Sequence, residues 1–131
     1  MSAMTDATRD REQPHPALRA CHRAGVHLLA LLILVQAMLA GRALFGTWSI
    51  TVHGVTGNVT FTVALAVGAL AFLGRAGRTA VLLAIILAAV LTLQIGLGYL
   101  GRETAEAAAW HVPLGVLAFG LAVYQTAAGR R

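Results

Sequence analysis

Four apolar runs follow one another along this chain with only short breaks: Ala24–Phe45, Val52–Leu73, Thr79–Leu100 and Ala107–Ala128. As a helix rising 1.5 Å per residue, a run of roughly 20 residues spans a hydrocarbon core ~30 Å thick. Inside lipid every backbone N–H and C=O must be paired within its own segment, so such runs are expected to be helical. Four of them in 131 residues leave almost no sequence for a water-facing surface. Hydrophobic residues make up 58% of the chain and charged residues 11%, too few charges to cover a soluble domain of this size. The expected fold class is therefore all-α, an integral membrane four-helix bundle whose main partner is the lipid bilayer. The connections at Gly46–Thr51, Gly74–Arg78 and Gly101–Glu106 are short. They make consecutive helices antiparallel neighbours in an up-down-up-down order.

Residues 1–23 carry Pro14, Pro16 and mixed charges without an apolar period, and are expected to be a disordered cytoplasmic tail. Residues 24–128 then form the transmembrane domain and 129–131 a cytoplasmic C-terminus. All basic side chains except the histidines are arginines. Arg9, Arg11, Arg19 and Arg23 precede the first run, Arg75 and Arg78 lie in the middle connection, and Arg130 and Arg131 end the chain; only Arg42 and Arg102 fall on the opposite side. The positive-inside rule then puts both termini and the middle connection of this multi-pass membrane protein in the cytoplasm. The net charge of +5 does not point to nucleic acid, because the arginines sit at the ends of apolar runs and form no stripe interleaved with aromatics. Cys21 is the sole cysteine, so no intramolecular disulfide forms, and its flank predicts a reduced thiol.

The chain repeats itself. A shift of 58 places lays Gln36 on Gln94, Leu39 on Leu97, His53 on His111, Gly57 on Gly115, Phe61 on Phe119 and Ala64 on Ala122. Matches among apolar residues are common by chance; the weight lies on Gln, His and Phe falling in one register. Helices one and two thus read as a copy of helices three and four, a two-helix internal pseudo-repeat. The shift carries one hairpin onto the next, so both insert the same way round and the pseudo-two-fold axis runs along the membrane normal. His53 and His111 then lie at matching depths near the outer face.

Polar groups within a span are rare and commonly face the bundle interior. Two symmetry-matched imidazoles in one interior are suited to ligating a metal from opposite sides, and haem suits them best: its iron takes two axial nitrogens and its ring fills apolar space between helices. Gly57 and Gly115 lie one turn deeper on the same helix faces as the histidines, where a missing side chain gives a flat macrocycle room. Phe61 and Phe119, a further turn down, are placed to close the pocket floor. Arg42 and Arg102 are placed to pair with two haem propionates. Each residue also has an ordinary alternative. An interfacial histidine commonly contacts headgroups, an arginine at a helix end snorkels to phosphate, and glycines let helices pack closely. The case for haem rests on the constellation.

The remaining polar residues carry less. Gln36 and Gln94 are expected to hydrogen-bond between helices or line the pocket. Asn58, Thr60 and Thr62 are expected to satisfy backbone or neighbouring helices. His22 and His27 are on different faces of the first helix with no histidine opposite, which argues against a second haem. Pro113 is read either as loosening the turn around His111 or as a tolerated first-turn proline. Trp48 and Trp110 read as aromatic anchors at the outer interface. Glu103 and Glu106 read as solvated, with Arg102 within reach.

The segments VHGVTGN (52–58), LQIGLGYLGR (93–102) and AWHVPLGVLAFG (109–120) resemble the haem-binding bundle of haem A synthase. That family has two four-helix halves, each with histidines near the outer ends of its second and fourth helices. Over about residues 26–128 the chain resembles one such half. It also resembles small four-helix bacterial membrane proteins of unknown function. The resemblance implies that His53 and His111 are axial ligands of a b-type haem. It does not carry the synthase chemistry across, because the outer loop GTWSIT lacks the family's acidic residue and the second half is missing.

The expected function is a single-haem, bis-histidine, cytochrome-like membrane protein. It would transfer electrons or bind haem near the outer face for a respiratory or redox partner. Two strong axial ligands leave no open coordination position, which favours electron transfer over catalysis. One alternative is a cofactor-free protein with a structural or assembly role. Another is a haem A synthase-like enzyme completed by homodimerisation.

Overall fold

A computed structural model describes residues 15–129 of the chain. Arg9, Arg11, Arg130, Arg131 and most of the expected tail lie outside the described residues. Four helices account for nearly everything else: α1 (Pro16–Leu44), α2 (Ile50–Leu73), α3 (Arg78–Leu100) and α4 (Ala105–Ala128). Each is long and apolar enough to cross a membrane. Ser49 opens α2 by accepting from the Thr51 N–H, and Thr104 opens α4 by accepting from the Ala107 N–H. The α2–α3 connection turns through two left-handed residues, Arg75 at φ 50° and Gly77 at φ 101°, the second a backbone shape that glycine adopts without steric cost.

One boundary departs from expectation. The first helix begins at Pro16, not Ala24, so residues 16–23 are helix rather than disordered tail. Proline is well placed there, because the first helical turn needs no N–H from it. Tertiary contact then holds the polar turns. A Cβ added to the buried Gly74 would lie 3.1 Å from Leu18 Cβ and 3.2 Å from the Arg19 nitrogen, so the start of α1 lies directly against the end of α2. His22 is also buried and donates through Nδ1–H to the Val67 carbonyl at 3.1 Å. At 1.5 Å per residue α1 is about 43 Å long, more than the ~30 Å that crosses a hydrocarbon core, and its Arg19–Arg23 end is polar.

The helices pack as a closed ring, α1 on α2, α2 on α3, α3 on α4 and α4 on α1. This is the up-down-up-down order expected from the short connections. The centre is built from Leu29, Ile33, Leu87 and Leu91 on the odd helices against Ala64, Ala118 and Ala122 on the even ones. Small residues on one side let backbones approach closely, which is how helices associate where burial from water gives no drive. The outward faces are apolar as well, with Leu31, Leu34, Leu65, Ile85 and Val116 all exposed.

The internal repeat is visible in this packing. Leu29 and its counterpart Leu87 are both 1% exposed, and Ile33 and Leu91 are both 6% exposed. Val26 and Ala84, Thr60 and Ala118, Ala64 and Ala122, and Val67 and Gln125 are likewise buried in pairs 58 places apart. At the end of the bundle where the chain enters, the two copies use different chemistry for the same task. His22 bonds across α1–α2, whereas Gln125 donates to the Leu83 carbonyl across α3–α4 at 3.2 Å.

Candidate functional site

His53 lies in the first turn of α2 and His111 in the second turn of α4, on helices that face each other diagonally across the ring. Their imidazoles nonetheless meet, with centroids 6.0 Å apart and planes at 77°. Both rings are half-buried and face the interior. The repeat has therefore brought together the two residues it marked out.

Each ring is held by the preceding helix in the same way. His53 Nδ1 lies 3.2 Å from the Gln36 carbonyl, and His111 Nδ1 lies 2.9 Å from the Gln94 carbonyl. A carbonyl only accepts, so Nδ1 carries the proton and Nε2 is left with its lone pair. The Gln94 side chain fits this tautomer: its amide N–H donates to His111 Nε2 at 3.2 Å. The same bond orients the amide, since only its nitrogen end can donate. The expected inter-helix bond is thus made by Gln94. The Gln36 amide, by contrast, has neither its nitrogen nor its oxygen paired, and Gln94 Oε1 is also buried without a partner. Three such atoms in one small region are unusual, because each costs the desolvation of a polar group.

The glycines explain where the two amides sit. A Cβ added to Gly115 would lie 2.9 Å from Gln94 Nε2, and one on Gly57 would lie 3.4 Å from Gln36 Nε2. One turn below each histidine, a glutamine amide end thus occupies the space that Gly57 and Gly115 leave. Gly98 is a further member that sequence reasoning missed: a Cβ there would lie 3.0 Å from His111 Cε1 and 3.3 Å from Nδ1. The imidazole lies against bare backbone. Phe61 and Phe119 are partly buried and pack against the central cluster.

The arginines are less symmetric. Arg102 reaches from the end of α3 to α2, with NH2 3.1 Å from where a Gly54 Cβ would be and its guanidinium carbon 5.1 Å from the Tyr99 ring centre. That places a cation one residue from His53. Arg42 instead lies 4.9 Å over the Trp48 ring. Both pairs have cation–π geometry.

The lesser polar residues follow local rules. Thr60 and Thr62 donate to carbonyls one turn back, and Asn58 donates to the Tyr99 hydroxyl at 3.1 Å. His27 is exposed and bonds the Arg23 carbonyl. Pro113 lies well inside α4, not in its first turn; lacking an N–H, it leaves the Ala109 carbonyl without its helical donor, just before His111. Trp48 and Trp110 are both exposed.

No family model, curated protein or solved structure matches this chain.

Proposed function

We propose that this chain is a multi-pass membrane protein of a bacterial inner membrane that binds one b-type haem between His53 and His111 and works as a membrane cytochrome near the outer face. The observation that carries the reading is the histidine pair itself. Two interior imidazoles have their Nδ1 protons fixed on backbone carbonyls, the support that metal-ligating histidines commonly have, with Nε2 as the donor. With ring centroids 6.0 Å apart, these two imidazoles are the residues that would hold the group between them. The space at Gly57 and Gly115 holds only the ends of two glutamines, which rotate more cheaply than backbone moves. Arg102 beside His53 is suited to a propionate. Bound there, haem would supply a one-electron couple, and two imidazole ligands would hold it closed to oxygen chemistry.

One observation favours a cofactor-free structural role instead: the Gln94 amide already satisfies His111 Nε2. Visible spectra separate the two. Protein purified in detergent from haem-supplied cells is expected to show sharp low-spin bands, lost in both His53→Ala and His111→Ala. A folded, colourless protein that takes up no haem refutes the haem reading.

The orientation has its own test. Cys21 is exposed on α1. An impermeant maleimide is expected to label it in inverted vesicles and not in intact spheroplasts. A Cys21→Ser/Glu103→Cys variant is expected to show the reverse pattern. Labelling of Cys21 from outside would invert the proposed topology.

A further inference from the structure

Both imidazoles of the pseudo-symmetric pair carry an unprotonated Nε2, yet only one of these nitrogens is bonded to a glutamine. Gln94 donates its amide N–H to His111 Nε2 at 3.2 Å. The equivalent amide of Gln36 bonds nothing, although Gly57 leaves it similar room. The two ligand positions are therefore unequal before any cofactor arrives. We infer that Gln94 caps His111, so that haem engages His53 first and gains His111 only by displacing the Gln94 amide, which makes His111 the second and more readily released ligand. The inference rests on the haem reading above. It makes Gln94 a positioning residue, acting on the cofactor through His111.

The physical basis is competition for one lone pair. Imidazole Nε2 cannot accept from an amide and ligate iron together. A neutral hydrogen bond typically shifts an equilibrium about fivefold, so loading through His111 carries that penalty and loading through His53 does not. Displacement also frees an amide whose oxygen is already unpaired, so the released side chain has reason to return whenever His111 leaves the iron.

Haem titration into the purified cofactor-free protein tests this. His111→Ala, which keeps the uncapped His53, is expected to bind haem about fivefold more tightly than His53→Ala, which keeps the capped His111. Gln94→Leu is expected to tighten binding about fivefold in the otherwise unaltered chain, and to remove most of the difference when combined with His53→Ala. Gln94→Met, unbranched and without a donor, serves if the leucine variant folds poorly. A second readout needs no haem: the 15N shift of His111 Nε2 in the cofactor-free protein is expected to move in Gln94→Leu, with His53 unmoved. A merely structural role for Gln94 would leave both shifts in place. Equal affinities of the two single-histidine variants, or an unmoved His111 shift, overturn the inference. If the shift moves but the unaltered chain binds no haem, the haem reading fails and the loading order falls with it, a result distinct from failure of the cap.

Discussion

Gly98→Leu is expected to abolish the low-spin spectrum of the proposed haem and to lower the stability of the cofactor-free bundle by about 2–4 kcal/mol, read as the midpoint of unfolding in mixed detergent micelles. Two costs combine. The added Cβ would stand 3.0 Å from His111 Cε1 and 3.3 Å from Nδ1, and a leucine branches from that contact, an overpacking that typically costs about 1–3 kcal/mol. The ring escapes only by leaving the Gln94 carbonyl, now 2.9 Å from Nδ1, which forfeits a hydrogen bond of about 1 kcal/mol. It also forfeits the tautomer that keeps Nε2 available. Gly98→Ala should be far milder. The first repeat carries Ala40 at the equivalent position, and His53 keeps its own bond to the Gln36 carbonyl beside it, at a longer 3.2 Å. A leucine variant with full low-spin bands would mean that His111 is not held against Gly98 in the haem-bound protein.

The contrast between Gly98 and the histidines shows what a sequence of this kind discloses. The four helices were readable because an apolar run long enough to cross a bilayer has to pair its backbone within itself, and α2, α3 and α4 begin within two residues of where the apolar runs begin. His53 and His111 were readable because a repeat converts two isolated residues into one symmetric pair. The Gln36–His53 and Gln94–His111 spacing was visible too, but spacing does not say which atom of a glutamine meets the ring. That depends on helix rotation, and it is the backbone carbonyl that holds Nδ1 in both halves. Gly98 left no trace because glycine is ordinary in apolar helices, and only the imidazole beside it gives it a role. The early start of α1 was hidden for a related reason. Its first turns are polar and are held by Gly74 and the Val67 carbonyl, partners that no local pattern reports. Arg42 and Arg102 looked equivalent, yet only Arg102 comes to the histidine pair, because its side chain can lie over Gly54.

Gln36→Leu is expected to stabilise the cofactor-free bundle by about 1–3 kcal/mol, measured in the same unfolding assay. Both polar atoms of its amide are buried without a partner, and an unpaired buried amide typically costs about that much. Leucine keeps most of the volume, and the backbone carbonyl that anchors His53 is untouched. Gln94→Leu supplies the contrast. Its amide nitrogen does have a partner, so removing it costs the half-buried His111 ring that bond, which offsets the relief of the unpaired Oε1, and no net gain in stability is expected. The pair of outcomes bears on function because a stabilising change at a natural position implies that the native residue serves something other than the resting fold. On the proposed haem reading that something is cofactor binding: the Gln36 amide beside Gly57 would rotate aside to admit a macrocycle and then meet it with a polar group. If Gln36→Leu instead destabilises the cofactor-free protein, the amide has a partner there, such as an ordered water. The site would then be a closed polar core, which is the arrangement a cofactor-free structural role requires.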